Sequence, residues 1–107
     1  RLHNSSAISH KNVLRWGTLG GAQTLGRNDI GELKVGKQAD IAMYKLDEIQ
    51  FWGADDPLAA LVICGATRAD KVMVAGKMKV EGGILVDVDM EQLRKDHRKA
   101  QYSLIGR

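Results

Sequence analysis

The chain is poor in the residues that staple, span or chelate. It has one cysteine, Cys64, and one proline, Pro57. A single thiol cannot close an intramolecular disulfide, and no Cys-x-x-Cys pair exists for a metal or for redox chemistry. That economy fits a reducing compartment, and a cytoplasmic location is expected. No apolar run approaches the roughly 20 residues of a membrane-spanning helix, so no membrane partner is expected. No signal-peptide pattern is visible. The first residue is Arg1 rather than Met, so the chain is expected to be a cleaved, truncated or partial product. Aromatics are scarce, with two tryptophans, two tyrosines and one phenylalanine. No dense Lys/Arg block concentrates the net charge of +3, and no aromatic residues interleave with the cations for base stacking. Nucleic acid is therefore not an expected partner.

What remains is an ordinary globular composition. Of 107 residues, 44% are hydrophobic and 27% charged, enough for one small domain with little surplus core. The chain changes character near its first third. Residues Arg1 to Ile8 are polar and read as irregular. Ser9 reads as a helix N-cap, and Val13, Leu14, Trp16, Leu19, Ala22 and Leu25 recur at helical spacing over His10–Leu25. Gly17, Gly20 and Gly21 share one helix face. Each costs about 1 kcal/mol relative to Ala in a helix interior, which predicts another backbone approaching there. Gly26 is placed to end the helix.

A turn-rich connector follows to Ala39, then a short strand from Asp40 to Leu46. Its near-continuous apolarity predicts cover on both faces. Asp47 to Asp55 reads as a loop carrying Phe51 and Trp52. Asp56-Pro57 opens a short helix, with Leu58, Leu61 and Val62 as its stripe and Gly65 as its end. A meander follows: Lys71–Ala75, a turn at Gly76-Lys77, Met78–Glu81, a turn at Gly82-Gly83, and Ile84–Asp87. The last helix runs from Asp89 to Ile105, with Asp89 as N-cap and Gln92 completing a capping box. Met90, Leu93, His97, Ala100 and Leu104 form one stripe, with Glu91, Arg94, Lys95, Arg98 and Lys99 outside it.

No constellation here makes an active site. His3, His10 and His97 lack the spacing of paired metal ligands. His97 is expected to be partly buried and structural, His10 and His3 exposed. Cys64 precedes a helix-ending glycine. Helix N-termini, not C-termini, activate thiols, so it is expected to be a small buried residue. Asp55 and Asp56 read as loop and cap residues. Gly17-x-x-Gly20-Gly21 lies within a helix and lacks the preceding strand and the Lys-Ser/Thr of a phosphate loop. The basic face of the last helix reads as solvated. No catalytic, cofactor-binding or metal-binding residue is expected within the chain.

The order of its motifs is more telling. VLRWGTLGGAQTLG (Val13–Gly26), IGELKVGKQADI (Ile30–Ile41) and VMVAGK (Val72–Lys77) follow one another. This pattern resembles the C-terminal end of the amidohydrolase superfamily, with Gly17 where relatives often carry Ala. WGTLGGA (Trp16–Ala22) and DPLAALVICGA (Asp56–Ala66) are similar to the branch acting on aromatic N-heterocycles, which includes 8-oxoguanine deaminase, guanine deaminase and the triazine hydrolases.

The resemblance implies an α+β fragment: the last helix of a TIM-type metal-dependent hydrolase barrel, the C-terminal part of a composite β-sandwich, and a terminal helix. Residues 1–26 would be the barrel remnant and 27–107 the share of the sandwich with its terminal helix. The parent would be a metal-dependent aminohydrolase. Its zinc or iron ion would lower the pKa of a bound water for attack on a ring carbon, releasing ammonia. The metal ligands would lie upstream of Arg1, and Asp40 is read as structural. The expected partners are the rest of that chain (barrel and N-terminal strands) and, for the parent, a small N-heterocycle. A homo-oligomer is also expected, because unpaired strand edges invite pairing. The alternative is a stand-alone β-rich module that oligomerises through those edges.

Overall fold

Ser9 starts the first helix by reciprocal capping. Its hydroxyl accepts from the Asn12 N–H at 3.2 Å, and its own N–H donates to Asn12 Oδ1 at 3.0 Å. In the computed structural model, which describes residues 7–66 and 68–106, helix α1 (His10–Arg15) runs into a π-helical turn, Trp16–Gly20, and then α2 (Gly21–Thr24). The turn sits where the helix is weakest. Glycines 17, 20 and 21 contribute no side-chain packing, and Thr18 Oγ1 donates to the Leu14 carbonyl at 2.8 Å, a back-bond that loosens a helical ladder. Gly26, at φ 68°, ends the segment. Gly26 N–H reaches the Gln23 carbonyl and Arg27 N–H the Ala22 carbonyl, both at 2.9 Å, which is a Schellman closure.

The chain then folds back on the helix, and the close approach is made by a different glycine from those expected. Gly31 lies against Thr18, Leu19 and Ala22. A Cβ on Gly31 would stand 2.8 Å from Ala22 Cβ, 3.1 Å from the Thr18 carbonyl oxygen and 3.2 Å from Leu19 Cα. Gly17 and Gly21 face open space, and Gly20 meets only its own helix. The close packing predicted at those three glycines is thus not made among the described residues. They sit on the face turned away from the connector.

Four strands follow: β1 (Ile41–Met43), β2 (Lys71–Val74), β3 (Lys77–Glu81) and β4 (Ile84–Leu85). They form one antiparallel sheet in the order β1-β2-β3-β4. Strand β1 is shorter than the predicted Asp40–Leu46, and its expected cover is missing. Ala42, Met43 and Tyr44 are exposed, because β1 packs on its in-plane neighbour β2 and, among the described residues, no second layer covers its faces. The β2–β3 turn is Ala75-Gly76, at φ 50° and 78°, one residue earlier than expected; Lys77 already belongs to β3. Both turn residues lie in the left-handed region that tight hairpins require. Gly82-Gly83 makes the second turn as predicted, at φ 60° and 76°.

Between β1 and β2 lie a 3-10 turn (Ile49–Phe51) and helix α3 (Pro57–Ala59), which continues as a π-helix over Ala60–Gly65. Asp56 caps α3, with Oδ1 accepting from the Leu58 N–H at 2.9 Å. Helix α4 (Met90–Ile105) is capped by Asp89, whose Oδ1 accepts from the Gln92 N–H at 3.0 Å. The capping box is only half made, since the Gln92 amide turns away to Asp96 Oδ1 at 2.9 Å. No residue of α4 is buried. His97, expected to be partly buried, is therefore exposed, because among the described residues nothing packs along its stripe. Cys64, expected inside, is exposed as well, on the uncovered side of the π-helix.

The core is small. Among the described residues, only Ala22, Phe51 and Ala60 are buried apolar residues. The accessible surface is 8923 Å², whereas a self-contained protein of 11.7 kDa exposes about 5,900 Å². The radius of gyration is 18.5 Å, against about 13 Å for a compact domain of this length. No helix among the described residues is long and apolar enough to cross a membrane.

Candidate functional site

The residues with chemical potential fall in separate places. His10, expected to be exposed, is half-buried, and its Nε2 lies 3.0 Å from Asp56 Oδ2. The ring nitrogen is out of contact with solvent and not aligned for a hydrogen bond, so the two groups meet as packed neighbours. The contact ties α1 to the start of α3. Asp56 thus has two tasks: one oxygen caps a helix and the other faces an imidazole. The Leu58 N–H first, then the Ala59 N–H and His10, hold its carboxyl below the ordinary aspartate value, against a partial loss of hydration.

His97 is on α4 and Cys64 on the π-helix after α3. His3 lies outside the described residues. Among the described residues no three His, Cys, Asp or Glu side chains converge as a metal site. A recess of about 480 Å³ runs along α4 between Arg94, Lys95, Arg98, Lys99 and Tyr102. It lies among splayed side chains of one helix, without the convergent polar groups and apolar walls of a small-molecule site.

The organised polar groups belong to the connector. Arg27 grips Asp29 with two bonds, Nε to Oδ1 at 2.9 Å and Nη2 to Oδ2 at 2.7 Å. The Gln38 amide adds a third, to Oδ2 at 2.9 Å, and the Gln38 N–H reaches the Asp29 carbonyl at 2.8 Å. The Arg27 hydrogen bonds are the main reason the Asp29 carboxyl is held down to about 2. Further on, Lys37 and Glu32 pair at 2.8 Å. Asp40 then reaches across to the sheet, with Oδ1 accepting the Ala75 N–H at 2.7 Å. The Gly76 N–H meets the Ala39 carbonyl at 3.0 Å. The GKxAD segment thus clamps the left-handed β2–β3 turn. Asp40, read as structural from the sequence, has that role here.

None of these tertiary contacts was predicted from the sequence. The His10–Asp56 pair joins residues 46 positions apart, and neither element's periodicity signals it. The Gly31 contact left a trace, an isolated glycine between Ile30 and Glu32, but a turn explains such a glycine equally well. Together these groups form an architectural site: a connector that locks a helix on one side and a hairpin on the other.

Comparison with known proteins gives this site its setting. The model of the amidohydrolase family matches residues 2–79. The chain is 48% identical over 104 residues to 8-oxoguanine deaminase from Pseudomonas aeruginosa, covering 97% of this chain and 23% of that protein. Among solved structures, a zinc-bound adenosine deaminase from Xanthomonas campestris superposes with a TM-score of 0.87 at 30% identity, covering 97% of this chain and 24% of that one. Atrazine chlorohydrolase from Arthrobacter aurescens, complexed with zinc, superposes at 0.78 with 38% identity, covering 83% of this chain and 20% of that one. The chain spans about a quarter of the length of the relatives it matches.

Proposed function

The chain belongs to the amidohydrolase family, and from that premise we propose that it is the C-terminal, structural portion of a metal-dependent aminohydrolase. The parent reaction is hydrolytic deamination of an aromatic N-heterocycle of the 8-oxoguanine or guanine type. In this reading residues 1–26 contribute the last helix of the catalytic barrel, and residues 27–107 the closing share of a small β-sandwich with its terminal helix. The remainder of the protein covers the open edge of β1 and the glycine face of α1–α2. The observation that carries the reading is the match itself: near-complete coverage of this chain by a deaminase of which it is only 23%. The excess surface and the three-residue core support it, since both are what a piece of a larger fold leaves uncovered.

The described residues do not fit a metal. His10 faces a carboxylate that is already a helix cap, His97 stands alone on α4, and Cys64 has no partner ligand. The zinc or iron of the parent would be held by residues outside this segment, and no step of the reaction passes through these 107. Their contribution is to close the barrel and to lock the connector. A cytoplasmic location and a homo-oligomeric state belong to the same reading.

The test is to follow the reading frame beyond Arg1, purify the full-length protein and measure ammonia release from 8-oxoguanine and guanine, with metal analysis. The full-length protein is expected to carry zinc or iron and to deaminate one of them; residues 1–107 alone are expected to be inactive. Activity in the isolated segment would overturn the assignment of the chemistry elsewhere. The open β1 edge favours one alternative, a stand-alone module that self-associates. A start codon close to Arg1, preceded by an in-frame stop, would select it.

A further inference from the structure

Among the described residues, one buried side-chain nitrogen or oxygen lacks a hydrogen-bond partner: His10 Nε2. It stands 3.0 Å from Asp56 Oδ2 and is closed off from solvent by this chain alone. Exposure in a segment changes when more protein is added, but burial only deepens. The His10–Asp56 contact is therefore internal to the 107 residues. It joins the first turn of α1 to the cap of α3.

The contact is unfinished in a specific way. A separation of 3.0 Å is that of an N–H···O bond, and only the angle fails. The terminal torsion of a histidine is soft, so a small turn of the ring aligns Nε2 with the carboxylate. The proton decides what that turn gains. A neutral ring protonated on Nδ1 alone sets the Nε2 lone pair against a carboxylate oxygen. A neutral ring protonated on Nε2 makes an ordinary hydrogen bond. The doubly protonated ring makes a charge-assisted one, about twice as strong. Imidazole is the side chain whose ordinary titration lies between pH 5 and 8. Asp56 stays ionised over that range, because the Leu58 and Ala59 N–H groups hold its carboxyl below the ordinary value. Few other charges bear on the ring. The elements packed against α1 are α3, the π-helix Ala60–Gly65 and the turn Trp16–Gly20. Besides Asp55 and Asp56 at the α3 cap they bring only Cys64, which is exposed. On α1 itself are Lys11 and Arg15, and Arg15 lies near Glu32 of the connector.

We infer that His10 and Asp56 form a proton-operated joint between α1 and α3, tight where the ring is doubly protonated and slack where it is neutral. The ring gains a partner on folding, so the stability it contributes is present at acid pH and lost as pH rises. Asp56 caps α3 through Oδ1 in both states. What changes is how firmly α3 and its π-helical continuation are held on α1, not whether they form. The inference does not depend on the deaminase reading, because its readout is local opening rather than activity.

The experiment is hydrogen exchange of the full-length protein, read by mass spectrometry on peptides covering residues 58–65 and corrected for the intrinsic effect of pH. Wild-type protection there is expected to rise at least ~5-fold between about pH 8 and about pH 5.5. His10→Gln keeps a side-chain N–H but does not titrate. Asp56→Asn keeps a capping oxygen but not the charge. Each variant is expected to hold protection constant to within about twofold over the same range. A wild type whose protection does not rise overturns the inference, since packing alone is indifferent to pH. A rise that persists in either variant also overturns it, by assigning the effect to another group. Should far-UV circular dichroism show one variant unfolded, the other decides alone, because each removes one half of the charged pair.

Discussion

Helices α1–α2 and α4 make an instructive pair. By local measures α4 is the better helix. It is 16 residues long, capped by Asp89 at one end and closed by Gly106 in the left-handed region at the other. The α1–α2 segment is shorter, carries three glycines and breaks into a π-helical turn at Trp16–Gly20. Yet α1–α2 holds the buried Ala22 and receives Gly31 at van der Waals limit, while α4 buries nothing. Local stability and tertiary placement are therefore separate properties in this chain. Helix α4 forms from its own caps and charges; α1–α2 is held by what folds onto it.

The largest expected effect breaks α1–α2 from outside the helix. Gly31→Ala puts a methyl group 2.8 Å from Ala22 Cβ at a backbone φ of +96°, where both overpacking and strain count, for about 3 kcal/mol of destabilisation. Urea unfolding of the full-length protein measures it. Gly21→Ala sharpens the point. In the isolated segment it meets nothing within 4 Å and is expected to raise helicity, by up to about 1 kcal/mol. In the full-length protein it is expected to destabilise, if the remainder covers that face as proposed. An identical gain in both contexts would refute that cover.

Next in size is Asp40→Ala, which removes the acceptor of the Ala75 N–H and releases a left-handed turn. The expected cost is about 1–2 kcal/mol, with hydrogen exchange at Ala75 accelerated by the same factor. Asp89→Ala should cost α4 about 1 kcal/mol, but as local fraying. Helical content is expected to fall while the sheet's exchange protection stays unchanged, because nothing in the described residues packs along α4. Loss of sheet protection would mean that α4 is coupled to it.

The smallest effect is one of pH. The Asp29 carboxyl is held at about 2, chiefly by hydrogen bonds from Arg27, against an ordinary 3.8. A depressed folded-state value contributes stability that is fully present above about pH 4 and is lost as pH falls through 2. The pair is solvent-facing, so salt is expected to weaken the contribution. Carboxyl NMR titration of Asp29 should show the low value, and Arg27→Ala should return it toward 3.8. A titration unmoved by that substitution would assign the shift to the loop backbone instead.

Much of this was legible from residue types. Ser9, Asp56 and Asp89 have side-chain oxygens that accept from the unpaired N–H groups of a helix start, and all three do so. Gly26 and Gly82-Gly83 stand where the backbone turns left-handed. The four strands and their order along the chain follow from apolar runs punctuated by glycine. These are local properties, set within a few residues, and the sequence alone determines them.

What it could not determine was which faces are covered. The same periodicity that marks Met90, Leu93, His97, Ala100 and Leu104 as one stripe places His97 inside or outside only when a second element is known. The glycines of α1–α2 and Gly31 look alike as letters; only the path of the connector decides that Gly31 makes the close approach and the others do not. The Asp40–Ala75 and His10–Asp56 contacts bridge 35 and 46 positions, and they exist because the connector returns over the helix and α3 turns toward α1. Burial and long-range pairing depend on where distant segments meet in space. That meeting was decided by the tertiary structure.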